Sequence, residues 1–120
     1  MKVDQDIESL KKFPVVESII QFGSSLNKKN CRDIDLCLFT SKRLSLKKKL
    51  ELIRELPQKY DVNFYGDLPL NLKKEVLSKG KIIFTRNYLR ILRNISNIDR
   101  EYPRYSSFLK NYHKKRVAAL

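Results

Sequence analysis

As far as Phe84, apolar residues fall in short runs whose period changes from run to run. Val15-Val16-Glu17-Ser18-Ile19-Ile20-Gln21-Phe22 reads as a strand. A second strand is predicted from about Asp33 to Phe39, where Leu36-Cys37-Leu38-Phe39 is apolar on both faces and fits a buried central position. Tyr60 to Tyr65 and Lys81 to Phe84 supply a third and a fourth strand. Between them the period lengthens. Leu46, Leu50, Ile53 and Leu56 recur at three- and four-residue steps, predicting a helix over 46–56 with Ser45 as its cap and Pro57 beyond its end. Leu70 to Lys79 reads as another helix, stopped by Gly80. A short helix is predicted over Asp4 to Lys12, with Ile7 and Leu10 on one side and Pro14 ending it.

After Phe84 the character changes. Arg86 to Ile98 has a helical stripe of Leu89, Leu92 and Ile95, and Pro103 interrupts. Arg104 to Leu120 is a second helical stretch, basic and aromatic, with Tyr105, Phe108 and Tyr112 followed by His113-Lys114-Lys115-Arg116. Two readings of this tail stand side by side. In one, Phe108, Leu109 and Tyr112 pack on the sheet and the cations face water. In the other, the tail docks a partner protein or RNA by charge and stacking. With 120 residues, no internal repeat and no low-complexity linker, the expectation is one domain over 1–120, its core at about 13–84 and a helical tail at 86–120.

Two segments carry candidate chemistry. Asp33 and Asp35 sit two apart at the head of a strand and would share a face, with Ile34 opposite. Carboxylates that close repel unless a cation lies between them or one takes a proton. Mg²⁺ prefers oxygen ligands and is commonly held by one or two carboxylates plus phosphates, so the pair is a candidate metal platform. Upstream, Phe22-Gly23-Ser24-Ser25 ends the first strand. Gly23 permits a sharp turn and close backbone approach, and Ser24 and Ser25 suit the start of a helical turn whose N–H groups can hold phosphate. Alone, Gly-Ser-Ser is as easily an ordinary turn; its weight comes from standing before the aspartate pair.

In order and spacing these residues resemble the minimal nucleotidyltransferases of the DNA polymerase β superfamily, whose signature is Gly-Ser, a spacer, Asp-x-Asp, and a third carboxylate on a later strand. The likeness covers about Val15 to Phe84. It implies an α+β fold of polymerase beta-like type, with a small mixed sheet flanked by helices and a helical C-terminal tail. It also implies that Gly23, Ser24 and Ser25 contact the triphosphate and that Asp33 and Asp35 bind Mg²⁺. The third carboxylate best matches Asp61, in Tyr60-Asp61-Val62-Asn63-Phe64, ahead of Asp67, which lies in a Gly-Asp turn. The loop between Ser24 and Asp33 is shorter than in many relatives and carries Lys28, Lys29 and Arg32; Lys28 and Lys29 become candidates for meeting phosphate charge.

By the same resemblance, minimal nucleotidyltransferases of this size are often antitoxins that transfer AMP from ATP to a tyrosine of a HEPN-domain ribonuclease toxin. That is the leading functional expectation, with ATP as substrate, Mg²⁺ as cofactor and the toxin as partner. A transferase acting on a small-molecule hydroxyl and a non-catalytic module binding protein or nucleic acid are the alternatives.

Composition narrows the field. The net charge of +13 attracts polyanions, with nucleic acid a secondary partner class, or else reflects a Lys-rich solvated surface. His113 is the lone histidine, which excludes a Ser-His-Asp or Cys-His catalytic set, and Cys31 and Cys37 do not form a zinc spacing pattern. No apolar run approaches the ~20 residues that span a bilayer. The opening Met1-Lys2-Val3-Asp4-Gln5-Asp6 lacks signal-peptide order, so a cytoplasmic location and no membrane partner are expected.

Overall fold

The computed structural model describes residues 2–23 and 33–101. The elements run α1 (Lys2–Asp6), a 3₁₀ helix (Glu8–Lys12), β1 (Val16–Phe22), β2 (Ile34–Thr40), α2 (Leu46–Arg54), β3 (Tyr60–Phe64), a 3₁₀ turn (Tyr65–Asp67), α3 (Leu70–Lys79), β4 (Lys81–Thr85) and α4 (Tyr88–Glu101). The predicted sequence of strands and helices is therefore present. The predicted helix over 4–12 is divided into α1 and the 3₁₀ segment, yet Ile7 and Leu10 are both fully buried as their spacing suggests. The stretch from Arg104 to Leu120 lies outside the described residues.

The four strands form one mixed sheet in the order β3-β2-β1-β4. β1 pairs antiparallel with β2 and with β4, whereas β3 lies parallel to β2. A parallel neighbour requires a crossover, and α2 supplies it. β1 and β2 are interior strands with helices against both faces, which accounts for the unbroken apolar run from Leu36 to Phe39. Ile19, Leu36 and Leu38 pack with Ile7, Leu10, Leu52 and Leu56 on one side. Ile20, Phe22, Cys37 and Phe39 pack with Val76 and Leu77 of α3 and Ile91, Ile95 and Ile98 of α4 on the other. Each such buried aliphatic side chain contributes about 1.5–3 kcal/mol through removal from water.

Two predicted stripes are displaced. On α2, Leu46 is 72% exposed and Leu50 42% exposed, while Leu52 is fully buried. Ser45 does cap this helix, accepting from the Lys48 backbone N–H at 3.3 Å. The helix meets the core through its last turn and the Leu56 that follows, so its first turn stands in solvent. On α4, Ile91, Ile95 and Ile98 form the buried stripe and Leu89 is 65% exposed. Asn87 accepts from the Arg90 backbone N–H at 3.2 Å at the start of that helix, and the packing of Ile91, Ile95 and Ile98 on the sheet leaves Leu89 on the outer side. Gly80 ends α3 in an ordinary extended conformation (φ −69°), not a left-handed one. Its reason is space: a Cβ there would run into the Val76 carbonyl and the Ile20 side chain.

Leu52→Ala is expected to cost about 2–5 kcal/mol of stability and Leu46→Ala less than about 0.5 kcal/mol, measured by urea unfolding. Equal costs would show that both ends of α2 are packed.

Candidate active site

Three strand ends meet at one edge of the sheet. In the antiparallel register Phe22 lies opposite Asp35, which sets the Gly23 turn beside the start of β2. In the parallel register Asp35 lies opposite Asp61. Asp35 alternates with Cys37 and Phe39 and so faces the α3–α4 side of the sheet. The sequence candidates Gly23, Asp35 and Asp61 are thereby brought together from three separate strands. Asp33 stands exposed just before β2, close enough for its charge to act on Asp35. Ser24, Ser25, Lys28 and Lys29 lie outside the described residues, as do Cys31 and Arg32.

Gly23 is constrained twice. Its φ of +81° lies in the left-handed region that side chains avoid. A Cβ at this position would also run into Asp35 Oδ2 and lie 3.3 Å from Asp35 Cγ. The backbone of the turn is thus packed directly on the carboxylate.

The electrostatics are those of an acidic cluster. The Asp35 carboxyl is held above its ordinary pKa, first by burial, then by a hydrogen bond with Asp61, then by the negative charges of Asp61, Asp33 and Glu75. Glu75, on α3, was not singled out from the sequence. It acts on Asp35 through the docking of α3, whose Val76 and Leu77 are buried against the sheet, and no local sequence pattern signals it. Asp67 is placed elsewhere: its Oδ2 accepts from Lys49 Nζ at 2.6 Å, in the turn after β3. Cys37 is buried and free, and burial pushes its thiol pKa up, so it offers no nucleophile.

Among the described residues no three His, Cys, Asp or Glu side chains close into a ready-made metal cage. What converges is a pair, Asp35 with Asp61, bordered by two further carboxylates. An all-oxygen pair of this kind fits Mg²⁺, which completes its shell with waters and substrate phosphates. The raised Asp35 pKa has the same sense: the cluster favours a proton where a cation would serve.

Residues 5–89 match the family model Polymerase beta, Nucleotidyltransferase, and the chain belongs to that family. Among proteins of known sequence it is 34% identical over 71 residues to MJ1547 of Methanocaldococcus jannaschii, provisionally named a protein adenylyltransferase. That alignment covers 58% of this chain, and the chain spans about half the length (56%) of that relative. Among solved structures, a toxin–antitoxin complex with AMP-PNP contains a chain that superposes with a TM-score of 0.64 at 18% identity, covering 90% of this chain and 96% of that one. A tri-AMPylated Shewanella oneidensis HEPN toxin in complex with its MNT antitoxin gives a TM-score of 0.61 at 18% identity, covering 92% and 98%. At such identities these structures establish a shared fold, the mixed α+β fold of the minimal nucleotidyltransferases. Among the described residues no helix is long and apolar enough to cross a membrane.

The Asp35 shift has a consequence for stability. Its folded pKa is raised above 3.8, so the folded protein binds this proton more tightly than the unfolded chain. Stability contributed at low pH is then lost as pH rises through the folded pKa. Asp35→Asn is expected to raise the metal-free melting temperature at neutral pH and to leave it unchanged below about pH 3.8. A variant that melts lower than the wild type at neutral pH would contradict the clustering.

Proposed function

We propose that this protein is a Mg²⁺-dependent nucleotidyltransferase that transfers AMP from ATP to a tyrosine hydroxyl of a HEPN-domain ribonuclease toxin, and so serves as its antitoxin. The observation that carries the chemistry is the convergence of Asp35 and Asp61 beside the Gly23 turn. Family membership supports the reaction class. The adenylyltransferase name of the archaeal relative supports AMP as the transferred group, and the toxin–antitoxin complexes of like fold support the partner.

Asp33, Asp35 and Asp61 are the residues that would hold the cation. Bound there, it supplies Lewis-acid charge to the triphosphate oxygens. The Gly23 backbone approaches the phosphates where a side chain would collide, and Ser24 and Ser25 follow as further phosphate contacts. Lys28 and Lys29 are assigned to the charge that develops on pyrophosphate. The tyrosine oxygen forms its bond to the α-phosphorus as the bond to the bridging oxygen breaks. Asp61, the more exposed of the facing pair, receives the hydroxyl proton.

Incubation with α-labelled ATP, Mg²⁺ and lysate from the protein's own source should label a HEPN-domain protein. Asp35→Asn is expected to lower the rate at least about a hundredfold, since even outer-shell partners of metals are worth about 10–100-fold. Gly23→Ala should also lower the rate by moving the Asp35 carboxylate, while a label on RNA or a small molecule would replace the toxin as acceptor. Full transfer by Asp35→Asn would remove the metal assignment.

A further inference from the structure

Among the described residues β3 is an edge strand, hydrogen-bonded to β2 alone. Asp61 is its second residue and lies opposite Asp35. Without a cation between them, two ionised carboxylates in that relation repel. Asp35 stands on an interior strand that is held from both sides. The repulsion therefore acts on β3, which can part from β2 at its open start.

The start of β3 is held from the opposite face of the sheet. Lys59 and Tyr60, the two residues before Asp61, converge on one carboxylate, that of Asp6. The Tyr60 hydroxyl donates to Asp6 Oδ2 at 2.6 Å, and Lys59 Nζ lies 3.3 Å from the same oxygen. Hydrogen bonds to an ionised acceptor are among the stronger ones, and Tyr60 is buried, so water competes little for this one. Asp6 ends α1, and Ile7 next to it is fully buried with Val3 and Leu10 in the cluster that also takes Tyr60. The N-terminal segment is tied down again where the Ser9 hydroxyl donates to the Glu55 carbonyl at 3.2 Å, shortly before the turn into β3. In the ladder itself the Ile34 N–H donates to the Lys59 carbonyl at 2.9 Å. Adjacent residues of a strand point to opposite faces, so the hold on Tyr60 leaves the Asp61 side clear for a ligand.

We propose that Asp6 and Tyr60 form a latch that positions Asp61 against Asp35 before any cation is bound. Both act through β3, and neither is a catalytic residue. The latch deepens the reading of the facing aspartates as a cation seat and rests on it. Its effect is preorganisation. A repulsion that would open the seat is resisted by a hydrogen bond to a residue anchored in the core, and the entering cation meets two carboxylates already in place. Without the latch, the binding-competent arrangement is populated only part of the time, and the apparent affinity falls by that fraction.

Two measurements on the full chain test this, at mildly alkaline pH where carboxylates are ionised. The first is hydrogen exchange of the β3 amides in metal-free protein. Tyr60→Phe keeps the ring, removes the hydroxyl and should speed exchange at the start of β3. Adding Asp35→Asn should cancel most of that gain, because the repulsion is then gone. The same gain with and without Asp35→Asn would make Tyr60 an ordinary packing residue and overturn the latch. The second is the affinity for Mn²⁺ in the presence of AMP-PNP, read from the relaxation of water protons. Tyr60→Phe should weaken it about tenfold, the lower end of what residues behind a metal's ligands contribute. Asp6→Asn, which keeps an oxygen to accept from the phenol, should bind more tightly than Asp6→Ala. Ile98→Val loosens the core on the other face of the sheet and should bind as the wild type does. Unchanged affinity in Tyr60→Phe, or an equal loss in Ile98→Val, would overturn the latch and leave the cation seat standing. A wild type that takes up no Mn²⁺ would remove the seat, and the latch with it.

Discussion

The position of Asp35 depends on β2 being hydrogen-bonded along both edges at once. β1 on one side brings the Gly23 turn against the Asp35 carboxylate, and β3 on the other brings Asp61 opposite it. The buried run from Leu36 to Phe39 fixes that register. Side chains alternate strictly along a strand, so a slip of one residue would move Asp35 to the far face and put Ile34 in its place. The same slip would take Cys37 and Phe39 from beneath α3 and α4 and force them into the cluster of Leu10 and Leu52 on the other face, where they do not fit the space that Leu36 and Leu38 fill. Core packing and the placement of the carboxylates are therefore one constraint, and the site inherits the rigidity of the sheet.

That rigidity sustains an arrangement that is unfavourable by itself. Asp35 is partly desolvated and faces the negative charges of Asp61, Asp33 and Glu75. Loose side chains would turn away from one another; these are held on strands and on a helix anchored by Val76 and Leu77. The chain as a whole carries +13, yet Asp33, Asp35, Asp61 and Glu75 gather at one end of the sheet. A net-positive chain thus keeps a local cluster of carboxylates, which is the electrostatic character a cation seat requires.

The strands and the identity of the convergent residues were legible in the sequence because both rest on short-range rules. Short apolar runs bounded by Gly, Pro and polar residues mark β1 to β4, and an aspartate within an apolar strand distinguishes Asp61 from Asp67. Helix orientation was less legible. Leu46, Leu50 and Ile53 form as regular a stripe as any, but Leu46 and Leu50 are exposed and the core contact falls to Leu52 near the C-terminal end of α2. In α4 two offset stripes coexist, and packing of Ile91, Ile95 and Ile98 against the sheet decides between them. Glu75 was invisible for a related reason: a helical carboxylate reaches a strand end through the docking of α3 on the sheet, which no local pattern encodes. The role of Gly80 in close packing, where an ordinary helix stop was expected, is another product of tertiary contact.

Binding of Mn²⁺, as a paramagnetic stand-in for Mg²⁺, followed by electron paramagnetic resonance in the presence of a non-hydrolysable ATP analogue tests the account most directly. The wild type and Asp67→Asn should immobilise the ion, and Asp35→Asn and Asp61→Asn should release it. Retention by both of the latter, or its loss in Asp67→Asn with the fold intact, would contradict the assignment of the facing pair as the cation seat.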